Sequence, residues 1–356
     1  MGPPSSALRV AQVIAGAPQG GAELFYERLT IALHRAGDAV LPVIRREPAR
    51  AARLRAAGLA PLELGFGNPL DLLTGPRLAA ALRRFAPRVT VAWMSRAARF
   101  ARRGDWVLCG RLGGYYDLAN FRRCDHLIAN TRGLVDWITG QGWPAARAHY
   151  LPNFVDDMAG APPAALDVPP LGLAPLGSHS SAPVLLGLGR LHRNKGFDTL
   201  IRALRHLPGA QAVIAGEGPE RAALLALARA EGVADRLRLP GWRGDAAALL
   251  AAADVFVCSS RQEPLGNMVI EAWSAGRPVV AAAVGGPAEL IADAATGLLV
   301  PPDDPAALAG AVGRVLADRT LAAALARAGR ARYEAAFAEA PVLARWRAFL
   351  STVEQV

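Results

Sequence analysis

The sequence predicts an α/β chain folded as two Rossmann-like domains facing across a cleft. Apolar runs of strand length alternate with helical patterns, and the alternation occurs twice. A stretch rich in Pro, Gly and Ser separates the two sets, and 356 residues suit two domains that each bury a core. The expected organisation is an N-terminal domain over 1–160, a linker over 161–183, a second domain over 184–335 and a C-terminal helix over 336–356.

In the first half, residues 8–15 read as a strand, followed by Gly16-Ala17-Pro18-Gln19-Gly20-Gly21 and a helix over 24–36. Gln12 inside the apolar run favours a strand over a signal peptide. Strands follow at 40–44, 89–93, 106–110 and 127–130, with helices at 77–85 and 132–139. The second half restarts with a strand at 184–189 and continues with strands at 210–215, 237–239, 255–258, 278–283 and 297–300. Helices are expected at 197–207, 218–231, 246–252, 269–275 and 288–291, and the tail from residue 306 is helical in pattern. Trp346 and Phe349 in that tail need a surface to pack against.

Composition narrows the function. Hydrophobic content of 52% with 36 Gly and 27 Pro describes a globular protein, not a disordered one. No apolar run reaches the roughly 18 residues of a membrane span. Cys109, Cys124 and Cys258 lack metal-ligand spacing and fit reduced thiols in the cytoplasm. Residues 77–132 carry twelve arginines against three aspartates, a net +9 that would attract anionic lipid or a phosphorylated substrate. It serves equally as a solvated basic face. No nucleic-acid-binding module accompanies the charge. Of 40 basic residues only Lys195 is a lysine, and it sits in the glycine-bearing loop after the first strand of the second half.

Two loops of the second half carry the chemistry. Gly187-Leu188-Gly189-Arg190-Leu191-His192-Arg193-Asn194-Lys195-Gly196 brings Arg190 and Lys195 to the carboxyl end of a strand, where open α/β sheets bind ligands. Further on, Glu263 and Glu271 stand eight positions apart, with Leu265, Gly266 and Asn267 at the start of a helix between them. The free N–H groups of that helix end suit an anion, and a carboxylate suits a vicinal diol. Two solvated glutamates on an ordinary loop and helix would have the same spacing. The loop after the first strand is neither a dinucleotide fingerprint nor a P-loop, though Gly20 and Gly21 allow close approach to a ligand. Asp303-Asp304 before Pro305 reads as a turn, so no metal site is expected.

Gly189-Arg190 with Lys195-Gly196, the Glu263/Glu271 spacing, and Gly285-Gly286 before Glu289 together resemble the GT-B retaining glycosyltransferases of family 4. Gly20-Gly21-Ala22-Glu23 and Leu151-Pro152-Asn153 extend the resemblance over nearly the whole chain, and the segment 111–132 resembles bacterial enzymes of surface-polysaccharide and lipopolysaccharide assembly. The resemblance implies an N-terminal acceptor-binding domain, a nucleotide-sugar-binding domain, and a C-terminal helix crossing back onto the former. It implies that Arg190 and Lys195 clamp the diphosphate, Glu271 holds the ribose and Glu263 contacts the donor sugar. Leu265, Gly266 and Asn267 would cradle sugar and phosphate, and Gly20 and Gly21 would approach the donor. Many relatives place a histidine after the strand that here leads to Arg111; this chain has Arg111, Gly113, Gly114 and Tyr115, which become the candidate acceptor side. His126 and His192 read as structural.

The expected activity is therefore metal-independent, retaining transfer of a hexose from a nucleotide diphosphate sugar, a UDP sugar favoured. The acceptor would be a lipid-linked or polysaccharide chain at the cytoplasmic face of the membrane. The donor is a co-substrate; no cofactor, metal or nucleic acid is expected. An epimerase or phosphorylase on the same scaffold, or a non-catalytic nucleotide-sugar-binding protein, are the alternative readings.

Overall fold

The structure is a computed structural model that describes residues 7–18, 20–67, 71–164 and 182–354. Most of the expected linker, residues 165–181, lies outside the described residues. The chain divides into one unit of Met1–Phe154 with Glu339–Val356, and a second of Val155–Ala338.

In the first unit the chain runs β1 (Arg9–Ile14), α1 (Gly21–Arg35), β2 (Ala39–Arg45), α2 (Pro48–Ala56), β3 (Leu62–Leu64) and α3 (Thr74–Phe85). It continues through β4 (Val89–Trp93), α4 (Met94–Phe100), β5 (Val107–Leu112), β6 (His126–Ala129), α5 (Arg132–Gly140) and β7 (Ala148–Tyr150). The seven strands form one parallel sheet in the order β3-β2-β1-β4-β5-β6-β7. Side chains of β1 alternate between two cores: Val10 and Ile14 on one face, Ala11 and Val13 on the other. A parallel sheet covered by helices on both faces must be apolar on both, which is why its strands read as unbroken apolar runs. Gln12 is one exception: its Oε1 accepts the Trp93 indole N–H at 2.6 Å, while its Nε2 is buried without a partner among the described residues.

The second unit comprises β8 (Val184–Leu188), α6 (Phe197–Leu204), β9 (Gln211–Ala215), α7 (Arg221–Ala230), β10 (Leu237–Gly241), α8 (Ala246–Ala252) and β11 (Val255–Cys258). α9 (Asn267–Ser274), β12 (Val279–Ala282), α10 (Gly285–Leu290), β13 (Leu298–Val300), α11 (Pro305–Ala317) and α12 (Arg319–Ala336) complete it. Its six strands are parallel in the order β10-β9-β8-β11-β12-β13, the Rossmann arrangement.

The boundary between units falls at Phe154/Val155, not after residue 160, because Val155 and Met158 are buried in the core of the second unit. Phe337 is buried there too, so the return to the first unit comes at Glu339, later than residue 336. From there α13 (Glu339–Val353) packs into the first unit's core. Trp346 lies nearly parallel to Trp93, ring centroids 6.2 Å apart, and Val342, Leu350 and Val353 fill the same core. Cys109, Cys124 and Cys258 are free thiols buried in these cores, and burial pushes each pKa up, that of Cys124 to about 12. Among the described residues no helix is long and apolar enough to cross a membrane.

Candidate active site

In the second unit, β8 and β11 are neighbours whose flanking strands run on in opposite directions, so the crevice at their carboxyl ends is the topological switch point. The loops leaving them touch backbone to backbone. Gly196 has φ +60°, and a Cβ there would stand 2.0 Å from the Ser259 carbonyl. Ser259 Oγ donates to the Lys195 carbonyl at 3.1 Å, and the Arg261 N–H donates to the Asn194 carbonyl at 2.8 Å. His192 steadies the first loop by accepting the Asn194 N–H through Nδ1 at 3.2 Å.

This stitching delivers the Lys195 ammonium to Glu263 Oε2 as an ion pair. The other carboxylate oxygen accepts the Gly266 N–H at 3.1 Å, and Gly266, with φ +83°, opens α9. From the far side the Gly286 N–H donates to the Glu263 carbonyl at 2.8 Å, and a Cβ on Gly286 would lie 2.1 Å from the Leu265 carbonyl. α10 therefore begins at Gly285, three residues earlier than the sequence pattern indicates.

The remaining second-unit candidates gather around this crevice. Leu265 and Gly266 are buried, while Asn267 and Glu271 are half-buried on the first turns of α9. Arg190 is exposed and makes no hydrogen bond or ion pair among the described residues. Arg261 closes the outer rim with Asp198 Oδ1 and Oδ2 at 2.8 and 2.7 Å and with Asp303 at 2.5 Å. Asp304 accepts the Ala307 N–H at 2.8 Å as the cap of α11, so Asp303-Asp304 is a turn and a cap. Among the described residues no three His, Cys, Asp or Glu side chains gather as a metal site.

In the first unit the switch point lies between β1 and β4, where the loop bearing Gly20 and Gly21 leaves the sheet. Glu23 folds back to accept the Ala17 N–H at 2.8 Å, and its carboxylate lies 2.2 Å from where a Cβ on Gly16 or Gly20 would sit. Sequence reasoning missed Arg50 of α2, which is fully buried behind this loop. It donates to the Ala17 and Pro18 carbonyls at 2.9 and 3.2 Å and pairs with Glu27 at 2.9 Å.

Arg111, expected on the acceptor side, is only 3% exposed at the end of β5 and faces no open surface. It donates to Asn153 Oδ1 at 2.6 Å and to the Leu112 carbonyl, with its guanidinium over the Trp93 ring at 5.5 Å. Burial lowers its pKa to about 9. Its visible work is to hold the turn carrying Gly113, Gly114 and Tyr115. A Cβ on Gly113 would stand 3.9 Å from Ala22, so this turn lies beside the start of α1. His126 pairs with His149, Nδ1 to Nε2 at 3.0 Å, and both pack against Phe349 of α13.

The family model described as "Glycosyl transferases group 1" matches residues 182–318, the span that holds this crevice. Over nearly the whole chain, the lipopolysaccharide core biosynthesis glycosyltransferase LpsE of Rhizobium meliloti is 36% identical, covering 87% of this chain and 89% of that protein. The chain belongs to this glycosyltransferase family. A second Rhizobium meliloti relative, the lipopolysaccharide core biosynthesis glycosyltransferase LpsD, is 32% identical over 90% of the chain. HepE of Anabaena, solved with UDP and glucose, superposes on this glycosyltransferase with a TM-score of 0.80 at 21% identity, over 97% of this chain and 99% of that one. A glycosyltransferase from Rickettsia africae gives 0.83 at 15% identity over 98% of this chain. The fold is GT-B.

Proposed function

We propose that this glycosyltransferase moves a hexose, with retention, from a nucleotide diphosphate sugar to a saccharide acceptor of the lipopolysaccharide core, a UDP sugar being the favoured donor. The observation that carries the reading is the Lys195–Glu263 pair at the mouth of β8 and β11, seated against the start of α9. An ammonium has three donors; one goes to Glu263, and the others can reach a phosphate oxygen. Arg190, exposed at the same edge, adds a second cation to the diphosphate. As the sugar–phosphate bond breaks, the leaving group gains charge, and the two cations with the α9 N–H groups stabilise it more than the ground state. Glu271 would take the ribose diol, and the remaining lone pairs of Glu263 would accept from donor-sugar hydroxyls. The departing phosphate would help remove the acceptor hydroxyl's proton.

The lipopolysaccharide core biosynthesis role of LpsE and LpsD supports the acceptor class, and the UDP and glucose bound to HepE support the donor class. Peripheral contact with an anionic leaflet is supported by the exposed Arg77, Arg83, Arg84, Arg102 and Arg103, and by Leu72 and Leu73 just before α3, which are 81% and 62% exposed.

A thermal-shift panel of UDP, GDP and ADP sugars identifies the donor, since a ligand of the native state raises Tm. Transfer is then followed by mass spectrometry on core oligosaccharide from cells lacking the gene, with the anomeric configuration read by NMR. Inversion of configuration would overturn retention, and absence of transfer from every donor would overturn the enzyme assignment. Flotation with anionic vesicles should fall steeply with salt; no binding at any salt would remove the membrane contact.

A further inference from the structure

We propose that Tyr115 and Trp137 form the aromatic platform on which a pyranose ring of the acceptor stacks, an inference that rests on the glycosyltransferase reading above. Tyr115 is 60% exposed on the turn after β5, at the carboxyl edge of the first sheet, the edge at which open α/β sheets take ligands. Its exposure is held in place on both sides. Arg111 fixes the Leu112 carbonyl before it, and Tyr116 after it lies over Phe121, with ring centroids 6.4 Å apart. Trp137, on α5, meets the Tyr115 ring edge to face, at 5.3 Å and 88°. This geometry joins two rings into an L and leaves aromatic surface turned outward.

The polar ends of both rings are open. Trp93, Trp143, Trp273 and Trp346 each donate the indole N–H to an oxygen within the chain, while the Trp106 indole N–H is buried without a partner among the described residues and Trp242 is 64% exposed. The Trp137 indole and the Tyr115 hydroxyl have no hydrogen-bond partner among the described residues. A pyranose offers the complement: an apolar C–H face for the rings, and hydroxyls around its rim for the N–H and O–H.

Gly113 points the same way. A Cβ on Gly196 or Gly286 would collide with backbone within 2.1 Å, so packing demands glycine there. At Gly113 a Cβ would meet nothing nearer than 3.9 Å, and its φ lies outside the left-handed region. Neither packing nor conformation requires glycine at that position. A bare backbone beside the rings leaves the space that a sugar occupies. Arg111, being buried, is the positioning residue of this subsite, and Tyr115 and Trp137 are its contact residues.

The probe is core oligosaccharide freed of lipid, taken from cells lacking the gene, with the donor identified by thermal shift. Tyr115→Ala should raise the acceptor KM about tenfold, the loss of ~1.4 kcal/mol of stacking, while the donor Kd stays at the wild-type value. Tyr115→Phe should keep most of the affinity, and Trp137→Leu should behave like Tyr115→Ala. An unchanged acceptor KM in a folded Tyr115→Ala protein would overturn the platform, as would a weakened donor Kd. A defect confined to lipid-bearing acceptor would assign Tyr115 to the membrane and overturn it as well. If the wild-type protein transfers from no nucleotide sugar, the glycosyltransferase reading itself fails, an outcome distinct from these.

Discussion

Lys195 and Glu263 meet across 68 positions of sequence as an ion pair whose side chains are 19% and 10% exposed. One carboxylate thereby does two jobs: Oε2 aims the chain's only lysine, and Oε1 holds the Gly266 N–H that opens α9. The cation and the helix terminus are set by the same side chain, so under the proposed function they would be registered to each other before a donor arrives.

Lys195→Met should lower kcat by roughly 100- to 1000-fold, the scale expected for one preorganised charge-stabilising donor. It should also lower Tm, because Glu263 is left charged and unpaired in a largely buried place. Glu263→Gln removes the stranded charge, so the double variant should recover part of the Tm and none of the rate. Initial rates and thermal melts of the two single variants and the double variant check this cycle. Full activity in either single variant would remove the pair from the mechanism.

Much of this arrangement is legible in the sequence, and the exceptions have physical causes. The long strands read directly because both sheet faces are buried. β3 and β7 are three residues each at the sheet's two edges, too short to show a period. α2 hides because its inward face consists of Ala51, Leu54 and a charged residue, Arg50, so the apolar stripe is broken. α4 follows β4 with no intervening loop, through Met94 at φ +63°, and leaves no turn signal to read. Lys195 stood out because it is alone of its type. The Tyr115–Trp137 contact joins residues of separate elements, and the loop-holding roles of Arg50 and Arg111 rest partly on backbone carbonyls, which no residue pattern encodes.

Gly286→Ala should destabilise by about 1–3 kcal/mol, the usual cost of forcing extra volume into a packed site, and weaken donor binding by displacing the Leu265 carbonyl. Gly310→Ala is the control. Gly310 is exposed inside α11 with open space around its would-be Cβ, so alanine there should stabilise by roughly 0.5–1 kcal/mol and leave kinetics alone. Denaturant melts of both variants decide the matter; equal effects would mean the contact at Leu265 is slack.

Acid should loosen the first unit at His126 and His149. Burial first, and the neighbouring His126 second, hold the His149 pKa at about 4, against 6.5 for a free imidazole. Burial also lowers the pKa of His126, offset in part by Asp125, with Arg147 acting in the same sense as burial. Between those pH values the unfolded chain binds a proton that the folded pair refuses, so stability is level above about pH 6.5 and falls as pH drops toward 4. Both rings pack on Phe349, so the loss should appear as loosening of α13. His149→Gln should flatten the fall in Tm between pH 6.5 and pH 4.5 relative to wild type. An identical pH profile would show that the pair does not couple to folding.

Arg50 is the last test, because it separates holding a loop from touching a ligand. It is fully buried, yet its guanidinium spans three oxygens: Glu27 at 2.9 Å and the carbonyls of Ala17 and Pro18 at 2.9 and 3.2 Å. Glu27 also pairs with Arg53 at 2.6 Å, so removing Arg50 does not strand a bare carboxylate. Arg50→Met should therefore cost about 1.5–3 kcal/mol, the scale of lost hydrogen bonds from a charged donor, instead of the larger loss of a broken buried ion pair. Arg50→Lys should not restore the loop, since a compact ammonium cannot reproduce a fork that spans three acceptors. The loop carries Gly20 and Gly21, so both variants should raise the donor KM while folded protein persists at low temperature. A normal donor KM in folded Arg50→Met would mean that Glu23, which accepts the Ala17 N–H at 2.8 Å, fixes the loop without help.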